Sequence, residues 1–165
     1  VSPSAKLPVT FYEDTSLLPD FCDYSMKNRT YRYAENNILY PFGYGLTYSQ
    51  VECSDLTYSD KKVSLSVTNT GNSDTEDVVQ IYIKGYSENA VPNYSLCGFK
   101  RVSLKKGETQ KIELMLDESA FEVVDKNGIR KVEGNKFMLF AGTSQPDELS
   151  EKLTGTKCLS LEINI

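Results

Sequence analysis

The 165-residue chain contains no histidine and no tryptophan. Without histidine, serine and cysteine nucleophiles lose their usual general base, and a mixed cysteine–histidine metal site cannot form. No apolar run approaches the roughly 18 residues that a membrane-spanning helix requires. We therefore expect neither a histidine-dependent hydrolase nor a membrane protein, and nothing in the sequence predicts a metal or a cofactor.

The chain also lacks any C-x-x-C pair, because its four cysteines, Cys22, Cys53, Cys97 and Cys158, are widely separated. Three of them lie in strand-like runs, where a small buried thiol fits well. Two disulfides are the alternative if the chain is secreted. We expect free structural thiols.

Charge of one sign is not concentrated anywhere. Residues 1–50 carry four basic and five acidic groups, and residues 51–165 carry fourteen and eighteen. The only close basic cluster, within residues 100–106, is small for a phosphate-binding surface and is better explained as a solvated strand edge. No nucleic-acid partner is predicted.

Residues 51–165 show the period-two alternation of half-buried strands. Apolar residues recur in this way at Val63, Leu65 and Val67, at Val79, Ile81 and Ile83, at Ile112, Leu114 and Leu116, at Phe137, Leu139 and Ala141, and at Leu159, Leu161 and Ile163. Asn127-Gly128 indicates a hairpin, since both residues tolerate positive φ. Seven or eight short strands without an amphipathic helix predict a mainly β fold, an immunoglobulin-like antiparallel β-sandwich of fibronectin type III-like type.

Residues 1–50 have a different character and hold seven of the eleven tyrosines. Residues 29–48 place six aromatic side chains in twenty residues with neither a helical nor a strand period. A short apolar strand at residues 7–12 needs a sheet partner that the sequence does not obviously supply. We expect an irregular, Tyr-rich segment in front of the sandwich, in a chain that begins inside a larger protein.

Several motifs occur in a characteristic order: LPVTFY, DYSMKNRTYRY, LYPFGYGLTY, VTNTG, DVVQIYI and GFKRVSL. Together they resemble the C-terminal end of glycoside hydrolase family 3, the β-glucosidase and β-xylosidase family. The resemblance implies that residues 1–12 end an α/β sandwich domain, that residues 13–50 connect, and that residues 51–165 form a fibronectin type III-like domain. The second motif is more similar to the β-xylosidase-related branch.

The resemblance implies retaining hydrolysis of β-linked sugars, which needs two carboxyl groups about 5–5.5 Å apart. The family supplies both groups from upstream domains, so we assign no catalytic residue here and expect the chain alone to be inactive. Its implied partners are the upstream catalytic domains of the same polypeptide and, through them, a β-linked oligosaccharide. The alternative is an independent carbohydrate- or protein-binding module.

Other acidic residues are predicted to be solvated charges, namely Asp20 with Asp23 and the cluster within residues 74–77. Residues 125–128 loosely resemble a calcium loop but lack its spaced oxygens and later Glu, so a plain hairpin turn is expected.

Four residues, Arg29, Tyr31, Arg32 and Tyr33, are candidates for a substrate edge or an interdomain contact, because sugar sites use aromatic faces and bidentate donors. We favour a structural role, in which both arginines tie the connecting segment to a neighbouring domain by carboxylate pairs and stacking. Asn28 stands where the related motif usually has glycine, and it suits a left-handed backbone. Without upstream domains, residues 7–48 should drape over the sandwich or expose an apolar patch that drives self-association.

Overall fold

The computed structural model describes residues 2–165. Val1, which belongs to the predicted end of the α/β sandwich domain, lies outside the described residues, and so does the side chain of Leu17. The strands, in chain order, are β1 (Phe11–Tyr12), β2 (Ile38–Tyr40), β3 (Val51–Ser59), β4 (Lys62–Asn69), β5 (Thr75–Gly85), β6 (Ser95–Leu104), β7 (Thr109–Met115), β8 (Glu122–Val124), β9 (Arg130–Val132), β10 (Lys136–Gly142) and β11 (Leu159–Asn164). Two short helices are α1 (Thr30–Tyr33) and α2 (Glu148–Thr154).

Seven of these strands form two antiparallel sheets, one ordered β3-β4-β7 and the other β11-β10-β5-β6. The rows predicted to face inward do so: Val63, Leu65 and Val67 of β4 are buried, as are Val79 and Ile81 of β5. They belong to one apolar cluster that fills the space between the sheets. Burying each such side chain contributes about 1.5–3 kcal/mol. The predicted antiparallel β-sandwich is confirmed.

The predicted hairpin is confirmed as β8 and β9, although its turn differs from the expectation. Gly128 N donates to Asp125 O at 2.9 Å, and Asp125 N donates to Ile129 O at 3.0 Å. Gly128 has a φ of 78°, whereas Asn127 is not among the residues with positive φ. The Asn-Gly pair therefore uses one left-handed residue, as in a type I turn followed by a glycine bulge.

The basic cluster lies where a solvated strand edge was expected. Lys100 and Arg101 are exposed on β6, which is one of the two edge strands of the four-stranded sheet. Arg101 forms an ion pair with Glu76 on β5. Charged side chains on such an edge discourage pairing with another sheet.

Helix α2 was missed by the sequence prediction because seven residues are too few for a recognisable apolar period. Its boundaries nevertheless carry local signals. Asp147 precedes the helix and accepts a hydrogen bond from Ser150 N at 2.8 Å, and Gly155 ends it with a φ of 70°. An Asp at the start and a left-handed Gly at the end are common helix caps. Neither helix in residues 2–165 is long and apolar enough to cross a membrane.

The strand predicted at residues 7–12 is shorter than expected, and the expectation that it lacks a partner is wrong. Within residues 7–12, only β1 is regular strand, and it pairs antiparallel with β2. The contact continues towards the sandwich, where Leu7 N donates to Tyr44 O and Gly43 N donates to Leu7 O, both at 2.8 Å. The partner thus lies within the Tyr-rich part of the N-terminal segment, the name used below for residues 2–50.

Strand β5 departs from simple alternation because it is buried on both faces. Val79 and Ile81 face the core as predicted, but the intervening residues Gln80 and Tyr82, which a half-buried strand would expose, are only 2% and 0% exposed. The N-terminal segment lies against this outer face, as the contacts below describe. The outer face of β5 is therefore a second, polar and aromatic interface.

Candidate docking site between the N-terminal segment and the sandwich

The amide group of Gln80 is the centre of this interface. Its Nε2 donates to Gly43 O at 2.9 Å and to Thr143 O at 3.0 Å, and its Oε1 accepts from the Tyr82 hydroxyl at 2.6 Å. The bond to Gly43 is the one that joins the segment to the sandwich, and it favours the docked arrangement because a buried polar group that loses a partner is costly. Burial raises the pKa of Tyr82 above its ordinary value of 10.0, which keeps its hydroxyl a donor.

The close approach at this point requires glycine. Gly43 has a φ of 76°, and a Cβ there would lie 2.2 Å from Gln80 Oε1. A Cβ at Gly45 would lie 2.2 Å from the carbonyl oxygen of Ala5. Cβ atoms essentially never make contacts this short. Gly43 therefore allows the N-terminal segment to approach β5, and Gly45 allows the segment to pack against its own residue Ala5.

Tyr31 is the aromatic anchor of helix α1. Its ring stacks on Phe42 with a centroid separation of 4.1 Å and an interplanar angle of 12°. Its hydroxyl oxygen accepts a hydrogen bond from Leu96 N at 2.9 Å, and its ring meets the edge of Tyr82 at 6.2 Å. Such aromatic pairs contribute about 0.5–1.5 kcal/mol beyond the area they bury. Both the ring and the hydroxyl group of Tyr31 therefore make structural contacts.

The loop before β6 holds helix α1 through Asn93. Its Nδ2 donates to the carbonyl oxygens of Tyr31 and Ala34, both at 2.9 Å, and its backbone N donates to Arg32 O at 3.2 Å. One asparagine therefore satisfies three carbonyl groups of a helix too short to satisfy its own. Sequence reasoning missed this residue, because the bonds join positions about sixty residues apart.

An ion pair closes the far end of the interface. Lys6 Nζ lies 2.7 Å from Asp77 Oδ1, and their side chains are 11% and 3% exposed. The prediction that the acidic residues of 74–77 are solvated is therefore wrong for Asp77, because the N-terminal segment covers it. Removing one partner of such a buried pair typically costs about 3–5 kcal/mol.

Arg29 pairs with no carboxylate within residues 2–165, so the predicted pairing with a neighbouring domain stays a prediction. Its Nη2 donates to the carbonyl oxygens of Asp20 and Asp23 at 3.0 and 2.7 Å, and its Nε is buried without a partner in residues 2–165. It closes a loop of its own segment. The residues on either side, Asn28 and Thr30, have φ values of 57° and 55°. The expected left-handed Asn28 is confirmed, while a β-branched residue at positive φ stores strain that surrounding contacts must hold.

Arg32 and Tyr33 lie together, apart from Arg29. Both line a groove at one end of the sandwich, whose other walls include Phe121 and Arg130. Arg32 is exposed, and its guanidinium carbon lies 5.8 Å from the centroid of the Tyr31 ring. Like Arg29, it has no carboxylate within ion-pair distance among residues 2–165. Of the four candidate residues, Arg32 and Tyr33 are the two that line this groove.

Asp20, Asp23 and Asp125, which the sequence analysis also considered, accept hydrogen bonds within turns. Asp20 and Asp23 accept from Cys22 N and Ser25 N, both at 2.8 Å, which leaves them exposed as predicted. Asp125 accepts from two backbone N–H groups within its turn, and these bonds lower the pKa of its carboxyl group. No group of three His, Cys, Asp or Glu side chains in the described range could hold a metal ion.

All four cysteines carry free thiols, as expected. Burial raises the pKa of Cys53, Cys97 and Cys158 to about 12 from an ordinary value of 9.0. Cys97 and Cys158 donate to backbone carbonyl oxygens at 3.3 and 3.2 Å. These three thiols are packing residues, since a reactive cysteine needs the opposite shift.

The N-terminal segment exposes many large apolar side chains. Phe21 and Tyr24 are 92% and 90% exposed, and Tyr48 and Leu46 are 74% and 68% exposed. Val9, Phe11, Leu18, Met26, Leu39 and Tyr40 are also exposed. Soluble proteins seldom leave so many large apolar side chains uncovered in one segment unless a partner binds there.

Comparisons with known proteins agree with this architecture. Residues 77–145 match the fibronectin type III-like domain family, from β5 to just after β10. The chain is 37% identical over 162 residues to a xylan 1,4-beta-xylosidase of Xylanibacter ruminicola, a match that covers 94% of this chain and 19% of the relative. It is 32% identical over 162 residues to a periplasmic beta-glucosidase of Salmonella typhimurium, covering 86% and 21%.

A solved structure gives the same result. The crystal structure of a GH3 beta-glucosidase from Bifidobacterium adolescentis matches with a TM-score of 0.79 and 27% identity, over 99% of this chain and 26% of that one. The chain matches the C-terminal part of glycoside hydrolase family 3 enzymes and carries their fibronectin type III-like domain. The resemblance seen in the sequence is confirmed, and the matched relatives are glycoside hydrolases of which this chain spans only about a fifth.

The fibronectin type III-like (Fn3-like) family match covers only part of the sandwich. The family match begins at Asp77, which pairs with Lys6, and it ends at Gln145, two residues after Thr143. Strands β3, β4 and β11 lie outside the matched range yet complete the two sheets. The docking residues Asp77, Gln80 and Tyr82 thus belong to the matched part of the domain.

We predict that Gly43→Ala will loosen the N-terminal segment from the sandwich, whereas Gly128→Ala will not. Both glycines have positive φ, so alanine costs each about 1–2 kcal/mol in backbone strain. Only Gly43 adds a clash with Gln80, because the site of a Cβ on Gly128 is open. Hydrogen exchange measured by mass spectrometry should show faster exchange in residues 31–45 for Gly43→Ala alone. Equal exchange in both variants would contradict the role given to this contact.

Proposed function

We propose that the chain is the noncatalytic C-terminal part of a retaining β-glycosidase of the β-xylosidase or β-glucosidase type, and that it braces the catalytic domains. Residues 1–50 would be the end of the α/β sandwich domain with its connecting segment, and residues 51–165 the Fn3-like domain. The two-faced character of the N-terminal segment is the observation that carries this proposal. One face is fixed to β5, and the other presents Phe21, Tyr24 and Leu46 to solvent.

Unpartnered donors in the N-terminal segment support the same assignment. Arg29 Nε and Thr10 Oγ1 are buried without a hydrogen-bond partner in residues 2–165. Buried donors are almost always satisfied in complete proteins, and an unsatisfied one costs about 1–3 kcal/mol. An upstream domain packed on this segment would supply acceptors as well as cover the apolar rings.

The chemistry would be performed outside this chain. Retaining hydrolysis uses one carboxylate as nucleophile and a second carboxyl group as acid and base, about 5–5.5 Å apart. Here Asp77 is committed to Lys6, Glu76 to Arg101, and Asp125 to its own turn. We therefore expect no hydrolysis of β-xylosides or β-glucosides by the isolated chain.

Arg29 and Arg32 test whether this segment is a brace or a substrate contact. In the longer enzyme we expect Arg29→Ala to lower the free energy of unfolding by about 2–3 kcal/mol, because it removes two charged hydrogen bonds. Its effect on KM should stay within about twofold, since no substrate contact is lost. Thermal denaturation and steady-state kinetics on an aryl β-xyloside measure the two quantities.

Arg32→Ala is the matched comparison, because Arg32 is exposed and makes no ion pair in the described chain. We expect little change in either stability or KM. A rise in KM of about tenfold with unchanged stability, for either arginine, would instead make that residue part of the substrate edge.

A second candidate function is an independent carbohydrate- or protein-binding module, favoured by the groove beside Arg32 and Tyr33. Affinity electrophoresis of the whole chain in soluble xylan or glucan separates the two functions. For a brace we expect the same mobility with and without polysaccharide. Retardation that Arg32→Ala and Tyr33→Ala abolish would contradict the brace and support the binding module.

The isolated chain should self-associate through residues 7–48, because these residues lack their proposed cover. We expect Phe21→Ser combined with Tyr24→Ser to shift the chain towards monomer, as measured by light scattering after size exclusion. Phe99→Ser is the control, since Phe99 is 66% exposed but lies on β6. A wild-type chain that is monomeric at every concentration would contradict this expectation.

A further inference from the structure

The hairpin of strands β8 and β9 has an unusual distribution of polar and apolar side chains. Val124, Ile129 and Val132 are 52%, 58% and 49% exposed. In contrast, the side chains of Asp125 and Glu133 are only 11% and 19% exposed. Apolar side chains normally gain free energy by burial and carboxylates by solvation. The hairpin therefore shows the reverse of the usual arrangement.

The strand register explains how this arrangement arises. Val124 pairs with Arg130, and Val132 pairs with Glu122, so these four side chains share one face of the hairpin. The opposite face carries Lys131, whose Nζ lies 3.3 and 3.0 Å from the two half-buried carboxylates. The first face, called the outward face below, is the one on which the exposed valines lie.

Polar contacts fix the hairpin to the sandwich from its other face. Asn89, in the loop between β5 and β6, donates from Nδ2 to both carboxylate oxygens of Glu133, at 2.9 and 3.0 Å. Asp125 Oδ1 accepts from Asn127 N and Ile129 N, at 2.8 and 3.1 Å, which orders the turn. An isolated two-stranded hairpin is only marginally stable in water, and these bonds supply the support that it lacks. The outward face is thus a preorganised surface.

Helix α1 connects this face to the exposed rings of the N-terminal segment. Arg32 and Tyr33 of α1 line the same groove as Val124. Arg29, which immediately precedes α1, donates to two carbonyl oxygens of the loop that carries Phe21. Because four helical residues span only about 6 Å, a partner that covers this loop needs to extend only a short distance to reach the groove.

The charges around the outward face select the chemistry of the partner. Lys126 has no carboxylate within ion-pair distance in the part of the chain that the structure describes, and Arg130 has only Glu122, at 4.0 Å. The other carboxylate of the groove, Asp117, accepts from Ser119 N. A second copy of the chain, related by a two-fold axis, would bring the same cations near one another, and like charges at an interface are costly. The surface therefore suits a different partner, with apolar side chains edged by carboxylates.

We propose that the outward face of the β8–β9 hairpin is a second docking surface, and that it binds an apolar surface edged by carboxylates on the upstream catalytic domains. The identity of this partner rests on the proposed function, whereas the preorganised apolar face rests on the hairpin alone. The catalytic domains would then be held at two separate places, the exposed rings of the N-terminal segment and the hairpin. Two separated contacts resist a rotation between domains that a single contact permits.

Alkylation of introduced cysteines tests this contact. Val132→Cys and, as a control, Met115→Cys are made in the present chain and in the longer enzyme; Met115 is 67% exposed on β7. Iodoacetamide labelling of each site is followed by mass spectrometry, and the present chain is used as its monomer fraction. We expect Val132→Cys to be labelled several-fold more slowly in the longer enzyme, and Met115→Cys to be labelled equally in both. Equal rates for Val132→Cys, and for Val124→Cys on the same face, would overturn the proposal.

The native thiol of Cys22 separates a failure of this proposal from a failure of the brace. Cys22 is exposed and follows Phe21 in the chain, so the proposed brace should protect it in the longer enzyme. If Cys22 is protected while Val132→Cys is not, the hairpin contact is overturned and the brace survives. If neither is protected, the brace is overturned as well. Slow labelling of Val132→Cys in the present chain that dilution relieves would show a second copy on the hairpin, and it would also overturn the proposal.

A charge reversal tests the chemistry of the partner. Protection is taken as the ratio of the labelling rates of Val132→Cys in the two proteins, so that local effects on the thiol cancel. Arg130→Glu should reduce this protection several-fold, because it places a carboxylate opposite the carboxylates of the partner. Lys111→Glu, on the exposed side of β7, is the matched reversal and should leave the protection unchanged. The same protection in both variants would overturn a partner edged by carboxylates.

Discussion

The docking of the N-terminal segment depends on the side-chain amide of Gln80. It lies on the outer face of the central strand β5, where a polar group would ordinarily bond to water. Instead, it bridges Gly43 and Thr143 and accepts from Tyr82. Because these bonds are made in a buried setting, undocking the segment would not simply expose an apolar surface; it would also separate the carbonyl group of Gly43 from its donor.

The other contacts extend this bridge in two directions. Towards one end, Lys6 and Asp77 form a buried ion pair, and towards the other, Asn93 holds the carbonyl groups of helix α1. Between them, Tyr31 stacks on Phe42 and meets Tyr82. Polar bonds therefore set the register of the segment, while the aromatic rings supply the buried area. Without the polar bonds, so many similar rings would permit several packings of comparable energy.

The sequence was sufficient for the sandwich because most of its strands carry their own signal. The alternation of Val63, Leu65 and Val67 is local, and so is the Asn127-Gly128 turn. The docking site could not be predicted in this way, since Lys6 meets Asp77 and Gly43 meets Gln80 only after the chain has folded back. One signal was present in the sequence. The run VVQIYI in β5 is more continuously apolar than is usual for a strand with one solvent-exposed face, and this run indicates a strand that is covered on both faces.

The bridge at Gln80 also fixes an order of events during synthesis. Gly43 leaves the ribosome long before Thr143, yet both bond to the same Nε2. Because β10 lies beside β5 in the sheet, the site that receives Gly43 is complete only when most of the sandwich has been translated. Until then the Tyr-rich segment has no finished surface to bind, and its aromatic rings are not covered by the sandwich. A late-translated part of the sandwich thus locks an earlier segment in place.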